Sequence, residues 1–145
     1  MKRLHTLTLL AAATLAAATT SYAQDLSASS DVVQGAVDGH VYRNGGVGAG
    51  EAEQMRHDLR GYTLLVALSE GRHNAYLADV KLDVFDTKGR NVFSLQDAGP
   101  LVDVQLPAGH YRIVAESAGV RRTQSVDVSR GEPARVYLHW ASGKA

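Results

Sequence analysis

The residues of this chain best suited to metal binding or proton transfer are its histidines, because imidazole does both near neutral pH. After the N-terminal 23 residues they occur singly, at His40, His57, His73, His110 and His139. None belongs to an H-x-H or H-E-x-x-H arrangement, in which neighbouring imidazoles bind one ion. The 145 residues include no cysteine, which excludes disulfides, thiolate metal sites and a cysteine nucleophile. The sequence therefore predicts no metal site and no cofactor.

Serines and aspartates do not form a recognisable catalytic arrangement either. No serine lies in a G-x-S-x-G nucleophile elbow. Solvation and turn formation explain the aspartates at polar strand positions and in turns. These residues are Asp79, Asp83, Asp86, Asp97 and Asp103. We therefore predict no catalytic residue and expect that the chain is not an enzyme.

The glycine-rich segment Gly45–Gly50 has the glycine spacing of a phosphate-binding loop. Such a loop follows a buried strand, and it is followed by Gly-Lys-Ser/Thr or by an acidic residue about 20 positions on. Here only Val41-Tyr42 precedes the segment, and no Gly-Lys-Ser/Thr follows it. We interpret the segment as a flexible loop that wraps an edge strand.

Arginine and aromatic side chains offer a different chemistry, the binding of a ligand. The net charge of the whole chain is zero, which gives no indication of nucleic-acid binding. The charge is uneven, because residues 24–106 carry a net charge of −5 and residues 107–145 carry +3. The candidate ligand surface consists of Arg112, Arg121, Arg135, Tyr137 and His139. Five arginines lie on neighbouring predicted strands: Arg112, Arg121, Arg122, Arg130 and Arg135. Either these arginines form a patch for an anionic ligand, such as a glycan or a lipid headgroup, or they are solvated and pair with carboxylates; we favour the second interpretation.

Residues 1–23 carry the three features of a secretory signal peptide. Lys2 and Arg3 supply a positive start, an apolar run covers residues 7–18, and Ser21-Tyr22-Ala23 is a cleavage site of the small-x-small type. The apolar run is shorter than the about 20 residues that a spanning helix needs. We expect cleavage after this site, export to the periplasm and no stable membrane span in the mature protein.

The next two segments are predicted to precede the main domain. Residues 24–39 are rich in serine, alanine, aspartate and glycine, which predicts a flexible leader. Residues 40–60 hold the glycine-rich loop and a short helix over residues 51–60. An apolar stripe at positions i, i+3 and i+7 of this helix consists of Ala52, Met55 and Leu59. The stripe predicts that one face of the helix is buried.

From residue 61 onward the hydrophobic period changes to two, as it does in strands. For example, Val102 and Val104 alternate with Asp103. Seven strand candidates with turn signals between them occupy residues 61–140, and residues 141–145 form a tail. The spacing predicts an all-β protein, a seven-stranded antiparallel β-sandwich with one short helix before the first main strand.

Two of the predicted strands meet at a corner with the sequence Leu106-Pro107-Ala108-Gly109-His110-Tyr111. We expect Leu106 to close one buried strand. Pro107 and Gly109 are expected to form the corner, with a positive φ at Gly109. Tyr111 is expected to begin the next strand and to face the core.

Three motifs follow one another over residues 78–119. The first is a hairpin that ends at Gly89, the second is a D-x-x-G turn that contains Gly99, and the third is the L-P-x-G-x-Y corner. In this order they resemble the carboxypeptidase regulatory-like domain, a transthyretin-like β-sandwich module. The chain departs from the family at the second motif, where Pro100 is interposed and Leu101 replaces an aromatic residue. The resemblance implies a module without zinc ligands or catalysis of its own.

A second resemblance begins with the motif Y-x-x-G-G-x-G-x-x-E, which covers Tyr42 to Glu51. With the corner and an aromatic end at Trp140, it resembles small exported proteobacterial proteins of unassigned function. That resemblance implies export, a β-sandwich and no known catalysis. Related sandwiches are grouped with carbohydrate-binding-like folds, although a fold alone does not establish a ligand.

Two hypotheses for the function remain open. The first is a non-catalytic periplasmic module that mediates protein interaction in the cell envelope, which an uncovered edge strand or an exposed apolar patch would favour. The second is a carbohydrate-binding module, which several exposed aromatic rings on one surface would favour. The candidate rings are Tyr137, Tyr42 and Tyr76, whereas we expect Trp140 to lie in the core.

Overall fold

The computed structural model describes residues 32–141, which form ten strands and one helix. The elements are β1 (Val33–Val37), β2 (His40–Gly45), α1 (Ala49–His57), β3 (Leu64–Glu70), β4 (Ala75–Tyr76), β5 (Val80–Phe85), β6 (Asn91–Ala98), β7 (Leu101–Val104), β8 (Gly109–Ser117), β9 (Val120–Val128) and β10 (Ala134–Trp140). The all-β class is confirmed. The predicted signal peptide, residues 24–31 of the predicted leader and residues 142–145 of the tail lie outside the described residues.

The strands form two sheets. In the first sheet the order is β1-β2-β7-β3-β10, with β4 beside one end of β3, and in the second it is β6-β5-β8-β9. Seven of the ten strands, β3 and β5 to β10, correspond to predicted ones. The first sheet also takes in β1 and β2, which precede the predicted boundary of the main domain at residue 61. The helix within residues 32–141 is neither long enough nor apolar enough to cross a membrane.

The prediction of a wholly antiparallel arrangement is wrong at one pair, because β10 runs parallel to β3. Every other pair of neighbouring strands in residues 32–141 is antiparallel. A tight hairpin forces two strands to run antiparallel, whereas a strand that arrives from elsewhere is free to run either way. β10 reaches the first sheet from β9 of the second sheet, so the crossing between the sheets sets its direction.

The prediction of a flexible leader is wrong for residues 33–37, which form β1. The turn between β1 and β2 consists of Asp38 and Gly39, both with positive φ (50° and 82°). An Asp-Gly pair with two positive φ angles matches a type I′ turn, whose twist suits a two-residue hairpin. The glycine-rich loop is also shorter than predicted, because Gly45 ends β2 and Gly50 already belongs to α1.

The two sheets share one hydrophobic core. Its members come from alternate positions of strands in both sheets, as the period of two predicts. The largest fully buried side chains of this core are Leu64, Val66, Leu68, Val80, Leu82, Val84, Phe93, Val102 and Ile113. Trp140 also lies there, as expected, and its Nε1 donates a hydrogen bond to the carbonyl oxygen of Val120 at 2.9 Å.

A second, smaller core lies on the other side of the first sheet, beneath α1. The predicted stripe of Ala52, Met55 and Leu59 is buried there against Leu65, Ala67 and Leu101. α1 ends at His57, three residues earlier than predicted. The outer face of the first sheet is therefore covered over β3 and β7.

The corner between β7 and β8 differs from the prediction in one respect. Gly109 does not have a positive φ; it is the first residue of β8 and pairs with Val128. The chain turns before it, where Leu106 donates its backbone N–H to the Thr63 hydroxyl at 2.8 Å. Tyr111 is buried as expected, and its hydroxyl donates to the carbonyl oxygen of Pro107 at 2.7 Å across the corner.

The two other glycines of the three motifs have different roles. Gly89 has a φ of +75° in the turn between β5 and β6. Gly99 allows a close approach, since a side chain there would meet the Gly45 carbonyl oxygen at 3.1 Å. Its N–H donates to Asn44 Oδ1 at 2.6 Å, which joins the β6–β7 turn to β2.

Candidate functional site

The residues of the predicted ligand surface lie on two opposite faces of the molecule. Arg135, Tyr137 and His139 follow one another on the outer face of β10, in the first sheet. Arg112 and Arg121 lie on β8 and β9, on the outer face of the second sheet. The structure therefore does not bring these five side chains into one site.

On the second sheet, the predicted arginines interact with their own neighbours. The Arg121 Nη2 donates to Glu116 Oε2 at 3.2 Å, and the guanidinium of Arg112 lies 5.1 Å from the centre of the Phe85 ring. Arg112 and Arg121 both line a groove of about 250 Å³. Its other lining residues are Asp83, Phe85, Val114 and Thr123. An arginine with a carboxylate partner and an arginine on an aromatic face both fit a solvated outer surface.

On the first sheet, two tyrosines share an exposed surface beside α1. Tyr76 of β4 and His139 of β10 lie opposite Ser69 on either side of β3, and the His139 Nδ1 is 3.0 Å from the Ser69 hydroxyl. Tyr137 is 63% exposed and Tyr76 is 43% exposed. The guanidinium of Arg56 lies 5.3 Å from the centre of the Tyr76 ring. We call these five residues the tyrosine face.

The other aromatic candidates do not belong to this face. Tyr42 is half-buried and points between the sheets, where its ring packs edge-on against Phe93 with the centroids 5.6 Å apart. Trp140 is buried in the same core. Only two of the candidate rings, Tyr76 and Tyr137, are therefore available to a ligand in this part of the molecule.

A third surface, which the sequence analysis missed, lies where α1 ends and the β9–β10 connection passes. A groove of about 490 Å³ opens there. Its basic side chains are His57, Arg60, Arg130 and Arg135. We call it the cationic groove. The uneven charge of residues 107–145 was the signal for it, but that signal does not say that Arg130 and Arg135 meet the end of a helix from another part of the chain.

The fourth feature is a buried ion pair that the sequence analysis placed in solvent. Asp103 was interpreted as a solvated strand residue, but it is fully buried, because α1 covers the face of β7 on which it lies. The Arg43 Nε donates to Asp103 Oδ2 at 2.9 Å, and the Arg43 Nη2 contacts the same oxygen. Within residues 32–141, the other oxygen, Oδ1, has no hydrogen-bond partner.

Arg43 also ties this pair to α1. Its Nη2 donates to the carbonyl oxygens of Asp58 at 2.7 Å and Met55 at 3.3 Å, at the C-terminal end of the helix. The ring of Tyr62 stacks on its guanidinium at 4.8 Å. Burial raises the pKa of Asp103 to about 6, and the charge of Arg43 opposes that shift. The pair holds α1 on the sheet.

Residues 32–141 contain no group of three or more histidine, aspartate or glutamate side chains placed to hold a metal ion. His110 and Asp127 are in contact on the second sheet, and both side chains are more than 70% exposed. Water therefore screens this contact. Neither a scan of protein-family models nor a search of curated proteins finds a match to this chain.

Proposed function

We propose that this chain is a non-catalytic binding module of the periplasm, which interacts with another envelope protein through the open edge of β1. We assign its β-sandwich to the transthyretin-like, carboxypeptidase regulatory-like type. Two sheets around one core and a buried tyrosine at the L-P-x-G-x-Y corner support that assignment. The observation that carries the interaction is the edge of β1, which within residues 32–141 has β2 on one side and no strand on the other.

The backbone of β1 offers hydrogen bonds to an added strand. Val37 and His40 flank the two-residue turn, and bonding alternates along an antiparallel pair. Val37, Gly35 and Val33 therefore exchange hydrogen bonds with β2. Gln34 and Ala36 direct their N–H and C=O groups outward, toward the open edge. A partner strand that pairs with them would extend the sheet, a common mode of protein recognition.

The composition of β1 leaves that edge unprotected. Proteins commonly block free strand edges with charged residues, proline or bulges. β1 has the sequence VQGAV and pairs with β2 in an uninterrupted register. Nearby, Val33 and Val41 are 55% and 45% exposed, so a bound strand would also find apolar side chains.

Three other edge strands, β6, β9 and β10, carry features that disfavour an added strand. β9 and β10 are joined by side-chain bonds, from Arg122 Nε to the His139 carbonyl oxygen and from Trp140 Nε1 to the Val120 carbonyl oxygen, each at 2.9 Å. β9 also carries Arg121 and Asp127. The pairing of β6 with β5 has two register shifts, of the kind that bulges produce. Among the described strands, β1 is thus the edge best suited to a partner.

The test uses two substitutions at one exposed position of β1. Ala36→Pro removes an outward N–H and leaves the β1–β2 hydrogen bonds in place, and proline is tolerated on such an edge. Ala36→Val retains the N–H and favours the strand. A photo-crosslinking residue at Gln34, introduced in cells into the original chain and into each variant, reports whether a discrete envelope protein is bound at this edge.

We expect the adduct in the original chain and in Ala36→Val, and at least a tenfold loss in Ala36→Pro. Circular dichroism and the melting temperature of both variants check that the fold is retained. Equal adducts in the two variants, or no discrete adduct in the original chain, would contradict the proposal.

A second candidate function, carbohydrate binding, is supported by the tyrosine face. Tyr76 and Tyr137 expose their rings on one sheet face, and the polar groups of Ser69 and His139 lie between them. Sugars stack on aromatic rings and hydrogen-bond to such groups. Arrayed envelope polysaccharides test this candidate with Tyr137→Ala and Tyr137→Phe. If the ring of Tyr137 stacks on a sugar, the affinity should be retained in Tyr137→Phe. It should fall about tenfold in Tyr137→Ala, a loss of about 1.4 kcal/mol.

A further inference from the structure

The walls of the cationic groove combine basic and apolar side chains. Its residues come from the end of α1, the segment before β3, the segment after β7 and the β9–β10 connection. They include the basic side chains of Arg60, Arg130 and Arg135 and the less polar ones of Leu59, Tyr62 and Pro133. A volume of about 490 Å³ lies within the range of small-ligand sites, which is about 300–1,000 Å³.

The groove carries an excess of positive charge. No aspartate or glutamate is among its lining residues. Of its three arginines, Arg60 is paired with Asp58, with Nε 2.8 Å from Oδ1. Within residues 32–141, Arg130 and Arg135 form no ion pair. Two guanidinium groups without a carboxylate partner therefore face one cavity.

The neighbouring cavity extends this positive surface. It has a volume of about 430 Å³ and shares Thr63, Gln105 and Arg130 with the cationic groove. His40 lines it, and again no carboxylate does. Arg130 thus stands between two cavities, at a place where a ligand in either one would reach it.

The C-terminal end of α1 does not cancel this charge. Carbonyl groups at the end of a helix carry partial negative charge, which would repel an anion. Here they are occupied, because Arg43 donates to the carbonyl oxygens of Met55 and Asp58, and Arg135 Nη2 donates to that of Arg56 at 3.2 Å. This last bond also holds Arg135 at the rim of the groove.

We propose that the cationic groove binds a phosphate group, of a small soluble ligand or of a lipid headgroup, between Arg130 and Arg135. The planar fork of a guanidinium group matches the oxygens of phosphate, and two such groups balance its charge. Leu59, Tyr62 and Pro133 provide apolar walls for the carbon portion of the ligand. This site is separate from the edge of β1 and does not depend on the interaction proposed there.

Calorimetric titration with inorganic phosphate and glycerol 3-phosphate tests the soluble form of the ligand. Cosedimentation with phosphatidylglycerol vesicles, against phosphatidylcholine vesicles, tests the headgroup. The variants are Arg130→Gln, the double variant Arg130→Gln with Arg135→Gln, and a matched control, Arg112→Gln with Arg121→Gln. The control removes the same charge from the outer face of the second sheet.

We expect binding in one of the two assays, and the assay that responds identifies the source of the phosphate. Arg130→Gln should weaken it at least fivefold, the double variant at least twentyfold and the control less than twofold. Arg130 has no ion pair to lose, so its variant reports on binding even if Arg135→Gln loosens α1. Absence of binding in both assays, or an equal loss in the control, overturns the proposal.

Discussion

The outer faces of the two sheets differ in what covers them. On the first sheet α1 packs over β3 and β7, so that side chains on that face, Asp103 among them, lie in a small second core. Within residues 32–141, no helix packs on the second sheet, and the outward side chains of β5 and β8 meet solvent or their neighbours. The two middle strands β3 and β7 of the first sheet are thus buried on both faces, whereas the second sheet is buried on its inner face only.

A pair of aspartates shows what this difference does to a charge. Asp83 on β5 lies 3.9 Å from the Lys81 ammonium and accepts hydrogen bonds from Asn91 and Ser94. Asp103 on β7 is fully buried, and its Oδ2 accepts a hydrogen bond from Arg43. Breaking a buried pair leaves an uncompensated charge, whereas an exposed charge is solvated when its partner is removed. The same residue type therefore carries very different energies on the two faces.

Removal of the basic partner on each face should produce the largest contrast. Arg43→Met leaves Asp103 buried without its basic partner, so that the folded state must either hold an unpaired charge or take up a proton, and it removes the bonds to the end of α1. We expect a loss of about 3–5 kcal/mol in the free energy of unfolding at pH 7. Lys81→Met, the matched control, should cost less than about 1 kcal/mol. Urea denaturation measures both, and similar losses would mean that α1 does not exclude water from the first sheet.

The pH dependence of stability should have opposite signs at two aspartates. Burial raises the pKa of Asp103 to about 6, above its unfolded value of about 3.9. The folded state thus binds the proton on Asp103 more tightly than the unfolded state does. The stabilisation that comes from this protonation is fully present below pH 4 and is lost as the pH rises through 6. Asp86 differs, because hydrogen bonds from Arg90 lower its pKa. Its contribution is present above its unfolded pKa and is lost in acid.

The measurement is the difference in unfolding free energy between the original chain and each asparagine variant. For Asp103→Asn, that difference should grow in favour of the original chain as the pH falls from 7 to 5. For Asp86→Asn it should stay constant over that range and shrink below pH 4. A flat profile for Asp103→Asn would show that water reaches its carboxylate.

The smallest effect is expected on the open face of the second sheet. Arg112 is exposed, and its contact is with the ring of Phe85. Arg112→Ala should change the free energy of unfolding by less than about 0.5 kcal/mol, since surface substitutions of this kind are nearly neutral. Chemical denaturation measures the free energy of unfolding of this variant and of Tyr111→Ala, whose side chain lies one position earlier and faces the core. The loss in Tyr111→Ala is the reference value. An Arg112→Ala variant that is the less stable of the two would contradict the assignment of the faces of β8.

The helix and most of the strands could be predicted, because the sequence pattern of each element by itself indicates its type and its buried face. The stripe of Ala52, Met55 and Leu59 identified the helix and its buried face, and alternation identified seven strands and the inward position of Tyr111. β1 was missed although its Asp38-Gly39 turn is a strong hairpin signal, because serine, alanine, aspartate and glycine dominate residues 24–39 and three valines are the only sizeable apolar residues after Leu26. The positive φ at Gly109 was wrong because glycine permits that conformation and does not require it.

The surfaces were less predictable because they depend on how distant elements meet. Alternation places Val102 and Asp103 on opposite faces of β7, but it does not say that α1 covers one of them. Arg121 and Arg135 belong to consecutive strands, β9 and β10, and only the assignment of these strands to different sheets separates them. The cationic groove joins parts of the chain more than 70 positions apart, Arg60 and Arg135, and no local pattern carries that information.

The parallel pairing of β10 with β3 has a consequence for the order of folding. Ala134 pairs with Leu64 and Trp140 with Glu70, so β3, whose Leu64–Leu68 segment is buried, acquires its second neighbour only when the last strand arrives. Contacts over such a sequence distance are formed slowly, because a long loop must close first. A chain without its final strand would leave an apolar edge open to aggregation. The chain has a single tryptophan, Trp140, so the fluorescence of one residue reports when the fold is complete.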